Sequence, residues 1–104
     1  MKKINIFCFG FGQVAKNFVY NLNKTHDVNL ATTSRDKTQK KKIYGIDYTS
    51  YHFMDNNYDK EILIKIKDYD YILISIPPKN GTDIVIKNFQ KTLEILQANW
   101  ITYL

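Results

Sequence analysis

At 104 residues, with 44% hydrophobic and 14% aromatic side chains, the chain is one domain at most and too apolar to be disordered. Fifteen basic against ten acidic residues leave a net charge of +5, but the lysines are mostly scattered, so the charge reads first as solubility and second as attraction for phosphate. A single cysteine excludes an internal disulfide, no apolar run is long enough to span a membrane, and no signal peptide is evident, so a cytoplasmic location is expected.

The first predicted strand is an apolar, β-prone run of Ile4, Ile6, Phe7, Cys8 and Phe9. It breaks at Gly10-Phe11-Gly12, and a helix is predicted from Gln13 to about Asn23, with Val14, Ala15, Phe18, Val19 and Leu22 on one face. Strand, glycine turn and helix form the context of a dinucleotide fingerprint, G-x-G-x-x-A. Gly10 would allow the tight turn, Gly12 the close approach of backbone to a pyrophosphate, and Ala15 close packing of helix on sheet. The phosphates would sit at the helix N-terminus, against Gly10, Phe11, Gly12, Gln13 and Val14, where free N–H groups and the helix dipole favour negative charge. Cys8, inside the strand, is expected to be a small core hydrophobe.

Residues 28–33 form a β-branched second strand, completing a parallel β-α-β unit. His26, in the link before it, lacks companions for a metal site. At the strand end, the NAD form of the fingerprint places an acid that binds the ribose hydroxyls, whereas the NADP form places an Arg beside the 2′-phosphate. Here stand Ser34 and Arg35, a hydroxyl and a guanidinium fork suited to phosphate, so NADP is favoured over NAD. Asp36-Lys37-Thr38-Gln39 has capping-box spacing and Gly45 is a plausible stop, predicting a helix between them whose solvated end carries Lys40-Lys41-Lys42.

Residues 53–55 are expected to form a short third strand, with Asn56-Asn57 turning into a helix over about residues 59–67. His52 and the tyrosines at 44, 48, 51 and 58 read as rim and core packing. Their spacing does not match an RNA-binding aromatic motif, and no nucleic-acid partner is expected. Residues 70–76 are a second strong strand, apolar enough to be buried on both faces, and Pro77-Pro78 ends it. Ser75, Ile76 and Pro77 would border the ligand groove beside the first strand. Thr82 or Asp83 then caps a helix to about Gln97, with Ile84, Val85, Phe89, Leu93 and Leu96 toward the sheet. Residues 100–104 form a fifth strand with an uncovered edge. Together these elements predict an α/β, Rossmann-like, doubly wound parallel sheet in the order 3-2-1-4-5.

With Gly10-x-Gly12-x-x-Ala15, Thr33-Ser34-Arg35, Ile74-Ser75-Ile76-Pro77-Pro78 and Trp100-Ile101-Thr102-Tyr103-Leu104, the chain resembles the N-terminal half of the NAD(P)-dependent epimerase/dehydratase family. That family comprises extended or atypical short-chain dehydrogenases/reductases. The resemblance implies a dinucleotide-binding domain over residues 1–104 and an oxidoreductase lineage. In the family a Ser/Thr-rich segment and a Tyr-x-x-x-Lys pair follow the fifth strand, where this chain ends at Leu104. No such pair stands in earlier, so no catalytic residue is expected and the piece reads as catalytically incomplete. A separate chain carrying the remainder, or a homodimer through the exposed sheet edge, is the partner expected. A non-enzymatic nucleotide-sensing module and a functionless remnant are the alternatives.

Overall fold

Along the opening strand every residue from Ile6 to Phe9 is fully buried, which requires cover on both faces of the sheet it joins. The computed structural model describes residues 2–76, 83–85, 87–89 and 100–103. Strand β1 (Lys2–Phe9) leads through the glycine turn into α1 (Gln13–Leu22) and back into β2 (His26–Ser34), parallel to β1 from Lys2 opposite His26 to Cys8 opposite Thr32. Strands β3 (Gln39–Ile43), β4 (Ile46–Met54) and β5 (Asn57–Tyr58) follow. Then come the short helix α2 (Glu61–Lys65), a 3-10 turn (Ile66–Asp68), β6 (Tyr71–Ile74) and β7 (Trp100–Tyr103). Residues 84–85 and 87–89 are helical, and Asp83 begins that segment by accepting the Val85 N–H at 2.9 Å. The rest of the helix expected to reach Gln97, with Leu93 and Leu96, lies outside the described residues.

The molecule is an α/β fold around one mixed, mostly parallel sheet in the order β3-β4-β2-β1-β6-β7, with β5 paired to β4. Alternation along β1 divides the core. Ile6 and Cys8 face α1 together with Val19, Val28, Leu30, Tyr48 and Leu73. Phe7 and Phe9 face the other way, against Tyr51, Phe53, Ile62, Ile66, Val85 and Phe89. That second layer is a run of packed rings, with Phe9 5.2 Å from Phe89 and Tyr58 4.7 Å from Phe89 between centroids.

Three expectations need correction. The helix predicted after Asp36 is instead β3, paired antiparallel to β4, so the sheet is neither wholly parallel nor limited to five strands in the expected order. Gln39–Ile43 offers no apolar stripe for a helix to bury, whereas Tyr44 (φ 52°) and Gly45 (φ 77°) form a tight left-handed turn that suits a hairpin. Lys40 then bonds Thr49 across the ladder at 2.7 Å, and the lysine run lies exposed on an edge strand. Second, β4 runs nine residues rather than three, because Ile46, Tyr48, Tyr51 and Phe53 all find core positions. Third, the buried stripe of α1 is Ala15, Val19 and half-buried Leu22; Val14 is 63% and Phe18 41% exposed. The spacing i, i+4, i+7 is kept, rotated away from the other two apolar side chains.

Cys8 is sealed in the core, and burial pushes its thiol up to about 12. Only about one thiol in ten thousand is then ionised at pH 8. Native protein should resist iodoacetamide, with labelling tracking unfolding in denaturant; rapid native labelling would show that the β1–α1 packing opens.

Candidate functional site

The turn after β1 is shaped by two glycines with different duties. Gly10 has φ +80°, and a Cβ there would lie 2.9 Å from Ile76 Cγ1 and 3.2 Å from Ser75 Oγ, so the end of β6 excludes any side chain. Its N–H is donated to Thr33 Oγ1 at 2.8 Å, tying the turn to the end of β2. The Ser75 N–H, donated to the Phe9 carbonyl at 2.9 Å, extends the β1–β6 pairing past its last strand residue. Gly12 is otherwise: its backbone is extended (φ −79°) and a Cβ would meet no described residue within 4 Å. Neither backbone geometry nor internal packing calls for glycine there. It is the N-cap of α1, whose first turn carries no acid and no side-chain cap.

Above this turn, at the C-terminal rim of the parallel strands, a cavity of about 470 Å³ opens, within the range of small-molecule sites. Gly10 forms its floor, Ser75 and Ile76 one wall, and Thr33, Ser34 and Arg35 another; Phe53, Met54 and Asp55 with Ile84 close the far side. Five of the residues singled out from sequence thus surround one space: Gly10, Ser34, Arg35, Ser75 and Ile76. Four do not line it. Phe11 turns into the α1 layer, its ring 5.8 Å from that of Tyr48, while Gly12, Gln13 and Val14 lie exposed at the start of α1. Pro77 lies outside the described residues.

Sequence reasoning missed Thr33 as a lining group and the whole far wall. Strand β4 was expected to end near Asp55, yet nothing in a lone Phe-Met-Asp run marks it as facing a ligand. Asp55 is held by Lys87 at 3.2 Å and by Asn88 Nδ2 at 3.1 Å, which fastens helical residues 87–89 to this wall.

The polar equipment is sparse and specific. Ser75 Oγ is buried and, among the described residues, has no hydrogen-bond partner, an arrangement that costs stability unless something else satisfies the hydroxyl. Ser34 Oγ accepts the Asp36 N–H at 3.3 Å, a local turn that starts the 35–38 loop. Arg35 is exposed at the cavity mouth, and among the described residues no carboxylate pairs with its guanidinium.

Behind that loop, Thr38 donates its hydroxyl to Asp59, and Asp59 accepts the Glu61 N–H at 2.9 Å, where α2 begins. These two bonds hold the Asp59 carboxyl below its usual range. Their contribution is present above the ordinary carboxylate pKa and is lost as pH falls through the lowered one.

Among the described residues no group of His, Cys, Asp and Glu could hold a metal ion, and no helix is long and apolar enough to cross a membrane. Compared with protein-family models, with curated proteins and with solved structures, the chain matches none.

The two glycines should separate in mutagenesis. Gly10→Ala should cost about 3 kcal/mol in urea unfolding, through its left-handed backbone and its clash with Ile76. Gly12→Ala should stay within about 1 kcal/mol of the parent. Ser75→Ala should raise stability by about 1 kcal/mol by removing an unsatisfied hydroxyl; a comparable loss would show that Ser75 has a partner in solution.

Proposed function

We propose that the chain is a dinucleotide-binding domain, holding NADP in preference to NAD, of the kind found in the N-terminal half of epimerase/dehydratase-type reductases. The observation that carries the reading is the cavity itself: Gly10, Ser34, Arg35, Ser75 and Ile76, contributed by the ends of β1, β2 and β6, meet around one space. The topology adds support. With the hairpin strand β3 outside β4, the parallel strands stand in the order β4-β2-β1-β6-β7, so the chain steps outward on one side of β1 and returns on the other. A crevice beside β1 at the carboxyl ends of such strands is where open α/β sheets take ligands.

The residues present fit the group. The open space over Gly12, beside the uncapped N-terminus of α1, suits a diphosphate that must approach backbone closely. The Ser75 hydroxyl, without a partner among the described residues, offers the ligand a donor and an acceptor. Arg35, unpaired by any described carboxylate, suits a second phosphate on the adenosine ribose. When bound, such a cofactor supplies hydride chemistry. This chain's own residues would seat the diphosphate at Gly10 to Val14 and orient the adenosine half through Ser34 and Arg35.

Calorimetric titration with NADPH and NADH tests this. The folded parent should bind NADPH more tightly. Arg35→Ala should weaken NADPH by about tenfold to a hundredfold and leave NADH nearly unaffected, as expected for loss of a charge-assisted contact. Gly12→Val should abolish both while the thermal transition is retained. A folded parent that binds neither nucleotide overturns the proposal, and adenine nucleotides binding as well as NADPH would point to a nucleotide-sensing module instead.

A further inference from the structure

The Arg35 guanidinium can select a ligand only if the loop carrying it is held, and residues 35–38 belong to no strand or helix. Ser34, the last residue of β2, stands opposite His52 on β4. The His52 ring places Nδ1 3.1 Å from the Arg35 carbonyl and 3.2 Å from the Asp36 carbonyl. Both neighbours are acceptors only, so Nδ1 carries the proton and donates a three-centre bond to two consecutive carbonyls.

The backbone of the same histidine is anchored on both sides. Its N–H is donated to Thr38 Oγ1 at 3.0 Å, and its carbonyl accepts the Asp59 N–H at 2.9 Å. Thr38 in turn donates to Asp59. Both ends of the loop, Arg35–Asp36 and Thr38, are thus fastened to one residue that itself contributes nothing to the cavity lining.

We propose that His52 is a positioning residue for Arg35: by donating Nδ1–H to the Arg35 and Asp36 carbonyls it holds the guanidinium at the cavity mouth and so sets the preference for a phosphorylated ribose. This rests on the dinucleotide reading above. A merely structural histidine would alter stability and both affinities together. A positioning one alters their ratio. Removing the ring leaves two adjacent carbonyls to water and releases the Arg35 backbone, while Gly10, Gly12 and Ser75 keep their places.

The experiment compares the parent with His52→Ala, His52→Asn and Thr38→Val. Asparagine is the informative rescue, because its side-chain NH₂ can occupy the place of Nδ1–H. The NADPH:NADH affinity ratio should fall about tenfold in His52→Ala and in Thr38→Val, and return toward the parent value in His52→Asn. Trypsin, followed by mass, should cut faster after Arg35 and Lys37 in His52→Ala without ligand, while cleavage at Lys40, Lys41 and Lys42 on the paired strand β3 stays unchanged. A parent-like ratio in His52→Ala, or an Asn variant no better than Ala, overturns the proposal. Should His52→Ala fail to fold, Thr38→Val decides by the same ratio. A parent that binds neither nucleotide defeats the dinucleotide reading, and tryptic cleavage then decides whether His52 holds the loop: unchanged rates after Arg35 and Lys37 refute it.

Discussion

Backbone at φ +80° is closed to nearly every side chain, and at Gly10 the end of β6 closes the remaining room. This crowding is the constraint on which the molecule turns. It lets β6 lie against β1 along its full length, with Ile74 opposite Phe9 and the Ser75 N–H continuing the pairing. It also brings the Gly10 N–H within reach of Thr33, so the same bend locks the end of β2. Three strand ends converge on one atom group, and the cavity is the space left above them.

From that convergence follows a division of labour. Residues below the bend are apolar and fully buried on both faces, as Phe7, Cys8 and Phe9 show. Residues above it are hydroxyls, one guanidinium, the Asp55 carboxylate bound by Lys87 and Asn88, and small backbone, with hydrocarbon from Phe53, Met54, Ile76 and Ile84 as walls. Such a space can hold a largely apolar ring system and direct it through a few polar points. The price is visible at Ser75, whose hydroxyl is removed from water with no partner among the described residues.

The opening strand, its helix and the strand over residues 71–74 were legible because three signals agree there: a continuous apolar run, small residues at the turn, and helical spacing immediately after it. Around residues 36–46 the signals conflict. Asp36 followed by Gln39 has the spacing of a helix start, but the next residues carry no apolar period, and Tyr44-Gly45 ahead of Ile46, Tyr48 and Phe53 is hairpin chemistry. Tertiary burial of β4 decides the outcome, since a strand of nine residues with five buried positions outweighs a local cap. The site was half legible for the same reason. Glycines and the Ser-Arg pair announce themselves by type, whereas Phe53, Met54 and Ile84 line the cavity only because the topology brings β4 and helical residues 84–85 there. His52 carried no signal at all: its role depends on where two carbonyls from another segment happen to lie.

The hairpin strand has a consequence for how the molecule meets copies of itself. β3 ends one rim of the sheet, and Lys40, Lys41 and Lys42 follow one another along it, all exposed. Joining two such rims edge to edge would place the backbones about 4.8 Å apart and bring like-charged lysines onto neighbouring strands, Lys40 and Lys42 on one face and Lys41 on the other, within reach of a screening length of about 8 Å in physiological salt. Like-charge repulsion therefore disfavours pairing along this border, and a sequence run that reads as solubility also blunts an open sheet edge.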